Sequence, residues 1–287
     1  MIFSKATEDQ IHSEQAIEKK IYSQAILEKF SWFLVISTIL AFLYLPIVVL
    51  IIFSFNTSRS LSWPMSGLTL DWYRKLAQNE QLLEALWNSL YVAGCATALT
   101  LFIGVPAAIA LDRLNFPGKA IFRKLVLLPI ALPGIITGIS MLSMFKLFGM
   151  SLSLETVILG HATALIAVVV TSVYARLQRL PKSYEEASKD LGANAINTFL
   201  YVTFPNIRSA VVGAGLLSFT LSFDEIPVTF FLTGRDNTLP MYIWSTMRRG
   251  LTPEINAVGA LIVVASAILI VISVLLLRDR EGNHRAV

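Results

Sequence analysis

Six stretches of this chain are each long and apolar enough to cross a lipid bilayer, and no other feature restricts its fold so severely. Phe30–Phe55, Leu86–Leu111, Ile121–Phe148, Thr156–Leu177, Ala210–Leu232 and Ile255–Leu277 each supply about 20 residues or more, against a hydrocarbon core of ~30 Å. Lipid offers the backbone no hydrogen-bond partner, so such runs fold as helices that satisfy their own N–H and C=O groups. The expected class is an all-α, polytopic membrane protein with six transmembrane helices. Its spanning region covers 30–277, between cytoplasmic tails 1–29 and 278–287. Composition agrees, with 55% hydrophobic and 15% charged residues, where soluble domains carry about 25% charged. A break is expected in the third run, which contains Pro129, Pro133, Gly134 and Gly138.

An even number of spans places both termini on one side. With that side cytoplasmic, the inner segments hold sixteen of the 23 Lys and Arg residues, the distribution the positive-inside rule requires. The first apolar run is too long for the core of a cleavable signal, so it is expected to remain as an anchor. Ile17, Ile21 and Ala25 recur every fourth residue beside Glu14, Glu18, Lys19 and Lys20. That tail reads either as an amphipathic helix on the inner membrane surface or as a loosely ordered lead-in. Outside, Trp63, Trp72, Tyr73 and Trp87 suit the headgroup zone. Cys95 is the single cysteine, so no internal disulfide is possible.

The largest inner loop, 178–209, reads Glu185-Glu186-Ala187-Ser188-Lys189-Asp190-Leu191-Gly192-Ala193-Asn194 and, further on, Val202-Thr203-Phe204-Pro205. Two acids early in a short helix favour its positive end, and Gly192 suits a left-handed closing residue. Small residues at Ala187 and Ser188 permit close approach by a partner. Pro205 is expected to limit helix continuation into the next span.

This loop resembles the EAA loop of permease subunits of bacterial ABC importers: Glu-Ala-Ala, three residues, Gly, nine residues, then Ile-x-Leu-Pro. Glu186, Ala187, Gly192 and Pro205 match in identity and spacing, with Ser188, Val202 and Phe204 as substitutes. The likeness implies a type I (MetI-like) permease whose coupling helix, formed around Glu185, Glu186, Ala187, Ser188, Asp190, Leu191, Gly192 and Ala193, docks on an ATP-binding subunit. Ser222-Phe223-Asp224-Glu225, Thr233-Gly234, Leu239-Pro240 and Pro253-Glu254-Ile255-Asn256-Ala257 further resemble PotC-type permeases of spermidine/putrescine importers. Such permeases imply two ATP-binding subunits, a second homologous permease, an extracytoplasmic solute-binding protein, and residence in the bacterial cytoplasmic membrane. Relatives with this signature also carry opines, aminophosphonates or ferric ion.

Missing motifs bear on the same question. The chain has no Gly-x-x-x-x-Gly-Lys-Ser/Thr phosphate loop, so ATP and Mg are expected on a partner, with no cofactor in this chain. His12, His161 and His284 are scattered and form no metal set; His161 reads as a hydrogen-bonded packing residue. No catalytic residue is expected, and the modest net charge of +4 points to membrane orientation, not nucleic acid. Asp224 and Glu225 lie inside an apolar run beside Pro227 and Thr229. A carboxylate there costs about 2.5–3.5 kcal/mol on insertion scales, so such groups face a polar path or a partner helix. One reading places Asp224, Glu225, Pro227 and Thr229 on a translocation path for a cationic or amine-bearing solute; the other makes the acids a structural pair. A proton-coupled secondary transporter using the same acids would be expected to show an internal repeat, and none is evident.

Overall fold

The computed structural model describes residues 2–58, 63–250 and 253–283, with side chains for 28–58, 63–250 and 253–268. The tail pattern at Ile17, Ile21 and Ala25 therefore concerns side chains outside those described. All regular structure among the described residues is helical, with one isolated bridge between Asn56 and Leu68. The chain divides into two units, Met1–Leu76 with Leu251–Val287, and Ala77–Gly250.

In the first unit, α1 (Ile2–Phe53) is one helix through the tail and the first apolar run, and no residue of its span Glu28–Phe53 is buried. Apolar side chains around a whole helix are stable only against lipid or further protein. A connecting loop folds back on itself: Thr57 N donates to Gly67 O (3.1 Å) and Thr69 N to Phe55 O (2.8 Å). Within α2 (Asp71–Ala77), Trp72 is 7% exposed and its indole donates to Asn56 O at 2.8 Å. Trp72 is thus a packing residue, whereas Trp63 and Trp87 are exposed.

The second unit is built on α3 (Glu80–Arg113), capped by Asn79, whose Oδ1 accepts from Leu82 N at 3.1 Å. Its 34 residues extend about 51 Å, so the acids near its start and Asp112-Arg113 at its end clear a ~30 Å apolar slab. The third apolar run is two helices, α4 (Lys119–Ala131) and α5 (Gly134–Leu147), bent by 105° at Leu132-Pro133. Pro133 cannot donate to a continuing helix, which is why the break falls there. The central helix is α6 (Leu154–Leu177), followed by α7 (Ser183–Asp190) and α8 (Ala195–Thr198). A π-helical turn, Phe199–Thr203, joins α8 to α9 (Phe204–Phe223); then come α10 (Pro227–Leu232) and α11 (Leu239–Arg248). The first unit resumes with α12 (Pro253–Asn283), Pro253 opening the helix and Glu254 in its first turn.

Two apolar clusters organise the second unit, and α3 and α6 contribute to both. Val105, Ala108 and Leu111 of α3 pack with Val169, Val173 and Leu177 of α6 and with Ile207 and Ala214 of α9. Nearer the other end, Val92 and Ala96 of α3 and Val157 and Ile158 of α6 meet Phe145 of α5 and Val228 and Leu232 of α10. Gly138 and Gly160 make this second cluster possible. A Cβ on Gly138 would lie 2.7 Å from Phe231 Cδ2, and one on Gly160 2.5 Å from Leu232 Cδ1. The Gly134/Gly138 pair is thus packing surface within the subunit.

The described residues show four to five of the six expected spans. Four helices among the described residues are long and apolar enough to cross: Glu28–Phe53, Glu80–Arg113, Leu154–Leu177 and Ala195–Phe223, with α4–α5 as a bent fifth. The fifth apolar run, expected at Ala210–Leu232, starts further upstream and is interrupted between Phe223 and Pro227.

Candidate functional site

Two polar regions of the second unit contain the residues singled out in the sequence. The first is α7 and its surroundings. Glu185 and Glu186 occupy its first turn, where carboxylates meet the positive helix end. The helix closes in a Schellman arrangement: Ala193 N donates to Ser188 O (3.1 Å) and Gly192 N to Lys189 O (2.8 Å). Gly192 has φ +83, a left-handed conformation that favours glycine, and nothing lies within 4 Å of where a Cβ would stand. Asn194 then caps α8 by accepting from Asn197 N at 2.8 Å.

No residue of α7 is buried, yet one of its acids is held tightly. Arg113, at the end of α3, presents Nη2 3.1 Å from Glu185 Oε1 and Nε 3.1 Å from Glu185 Oε2, a two-pronged contact between side chains each 14% exposed. Thr203 in the π-helical turn donates to the same Glu185 Oε1 at 2.8 Å. Arg113 Nη1 also lies 2.7 Å from Asp112 Oδ2, and Gln178 Nε2, just past α6, donates to Asp112 Oδ1. Four element ends therefore meet at one charged knot. By contrast Glu186, Ala187, Asp190 and Leu191 are exposed, Leu191 at 89%.

Ser188 turns inward to Thr198 at 3.1 Å. Pro205 lies in the first turn of α9, and the chain is helical on both sides of it. It does not limit the helix as expected. The π-helical turn widens the backbone immediately before it, easing the clash of the proline ring with the preceding turn. Asn206 Nδ2 donates to Val202 O at 2.7 Å across that turn. Arg113, Asp112, Gln178 and Thr203 were not singled out beforehand; an acid–base dipeptide closing an apolar run was the available signal.

The second region is the interruption between α9 and α10. Asp224 ends α9 and is exposed. Glu225 is partly buried and its Oε1 accepts from Val228 N at 3.0 Å, capping the first turn of α10 behind Pro227. Thr229 is fully buried and donates to Glu225 O at 2.9 Å. Its only hydrogen being used there, it accepts from His161 Nε2 at 2.9 Å. In the neutral ring Nδ1 is then the acceptor, bound by Ser222 at 2.8 Å. His161 thus clasps the last turn of α9 to α10, the packing role expected of it. A cavity of about 210 Å³ adjoins this clasp, lined among others by Thr137, Leu165, Ser222 and Glu225. Ser222 and His161 were not placed together beforehand, since nothing local in sequence links them.

With this geometry in hand, similarity to known proteins is extensive. Residues 81–279 match the family described as "Binding-protein-dependent transport system inner membrane component". The spermidine/putrescine transport system permease protein PotC of Escherichia coli K12 is 36% identical over 250 residues, covering 86% of this chain and 94% of that protein. The putrescine transport system permease protein PotI of the same strain is 36% identical over 236 residues, covering 79% of this chain and 83% of its own length. Among solved structures, a bacterial ABC transporter importing alginate aligns with a TM-score of 0.63 at 16% identity, over 85% of this chain and 93% of that one. The inward-facing MetNI methionine ABC transporter aligns with a TM-score of 0.57 at 17% identity, over 69% and 94%. These last two speak to the fold.

Proposed function

The chain belongs to the family of binding-protein-dependent transport system inner membrane components, and from that premise we propose that it forms half the translocation path of an ATP-driven importer for a polyamine such as spermidine or putrescine. It is a transport subunit, not an enzyme. Its assembly comprises two ATP-binding subunits, a second homologous permease in a heterodimer, and an extracytoplasmic solute-binding protein, embedded in lipid of a bacterial inner membrane. Six crossings, by α1, α3, the bent α4–α5 pair, α6, α8–α10 and α12, leave both termini cytoplasmic and α7 on the cytoplasmic side.

One observation carries the coupling part of this reading. The helix α7 has no buried residue, while Glu186, Ala187 and Leu191 stand exposed beside a rigid Schellman turn. A short helix that is anchored on one side and leaves Glu186, Ala187 and Leu191 open on the other is shaped to be covered by a partner. Glu186→Lys or Gly192→Asp should release the ATP-binding subunit from the detergent-extracted complex. Retained association together with intact ATP-dependent uptake would overturn the assignment.

For the path, Asp224 supplies an exposed carboxylate where α9 stops, and Glu225, Pro227 and Thr229 shape the interruption that holds it there. In proteoliposomes containing the complete importer, Asp224→Asn and Glu225→Gln should slow putrescine uptake or alter cargo preference. Unchanged rate and preference in both variants would remove these residues from the path.

A further inference from the structure

We infer that the Arg113–Glu185 pair is the joint through which displacement of α7 is passed to the core of the permease, with Thr203 and Asp112 as its supports. The inference rests on the reading of α7 as the ATPase-docking helix and adds how motion leaves that helix. Burial cannot do it, because α7 has no buried residue. Its side chains make polar contacts with the second unit: Glu185 with Arg113 and Thr203, and Ser188 with Thr198. Of these contacts only the charged one reaches α3, the helix that contributes to both apolar clusters.

The two-pronged geometry fixes orientation as well as distance, so rotation and translation of α7 both act on α3. With each side chain only 14% exposed, the pair is shielded from salt. Asp112 supports this view. An acid in the last turn of a helix opposes the dipole, yet Asp112 is retained there at 7% exposure, steering Arg113 through the 2.7 Å contact and held in turn by Gln178. Arg113 is thereby fixed from behind and presents its remaining prongs to Glu185.

The test uses the complete importer in proteoliposomes, with ATP hydrolysed and putrescine accumulated measured separately. Glu185→Gln and Arg113→Gln should each lower putrescine carried per ATP by about tenfold, the scale of one charged hydrogen bond. In Arg113→Gln, hydrolysis and co-purification of the ATP-binding subunit should stay within about twofold. Thr203→Val, which spares both charges, should lower the same ratio by about threefold, and Arg113→Lys, which keeps the charge between Asp112 and Glu185 but loses the second prong, should retain more of the ratio than Arg113→Gln. If hydrolysis and transport fall in equal proportion, or Arg113→Lys is as impaired as Arg113→Gln, the joint is an element of folding alone and the inference fails. Failure of the docking reading would show differently, as undisturbed ATPase binding in Glu186→Lys.

Discussion

Two adjacent pairs of acids, Glu185-Glu186 and Asp224-Glu225, stand at opposite ends of the same run of chain and are used in the same divided way. In each pair one carboxylate is consumed internally and the other is left open. Glu185 is held by Arg113 and Thr203 while Glu186 is exposed. Glu225 caps α10 through Val228 N while Asp224 is exposed. The order is reversed because the geometry is reversed: Glu185 precedes the free acid on a helix that has just begun, and Glu225 follows it where a helix has just ended. An acidic pair in such a chain is therefore one anchor and one presented charge.

That division can be broken experimentally. The largest effect is expected at the clasp behind Glu225. His161→Leu leaves Ser222 and Thr229 buried without their ring partner and should lower stability by about 3 kcal/mol, read as a shift in unfolding midpoint of the detergent-solubilised protein. Next, Glu185→Ala should cost about 2 kcal/mol by leaving Arg113 with only Asp112, the partial exposure of the pair keeping the figure below that of a fully buried one. Gly192→Ala should cost about 1 kcal/mol, from the left-handed backbone alone, since space is open around it. Smallest are the presented acids: Glu186→Gln and Asp224→Asn should each stay within about 0.5 kcal/mol while impairing ATPase binding and uptake respectively. A loss at Glu186 as large as that at Glu185, measured in the same unfolding assay, would dissolve the distinction.

Features carried by neighbouring residues were legible in advance. The end of α7 at Gly192 follows from local rules, as does the break at Pro133. Features that depend on distant pairs were not. Arg113 and Glu185 are 72 residues apart, and His161 lies 61 and 68 residues from its two hydroxyl partners. Periodicity says nothing of such meetings; they are set by how α3, α6 and α9 pack. Trp72 illustrates the same limit, since an aromatic suited to the headgroup zone is indistinguishable in sequence from one that closes a loop. Pro205 failed for another reason. A proline stops an ordinary α-helix, and the chain met it by changing helix type one turn earlier.

That change of type has a consequence for how the protein tolerates altered length. A π-helical turn is an α-helix carrying one residue too many, so Phe199–Thr203 is where a single residue can be deleted without interrupting the rod from Ala195 to Phe223. Such a deletion would rotate everything before it by about 100° about the axis of α9. Thr203 would then no longer face Glu185, while Ser188 and Thr198, both before the deletion, would turn together. The spare residue works as a phase setting, aligning the exposed loop with the helices behind it.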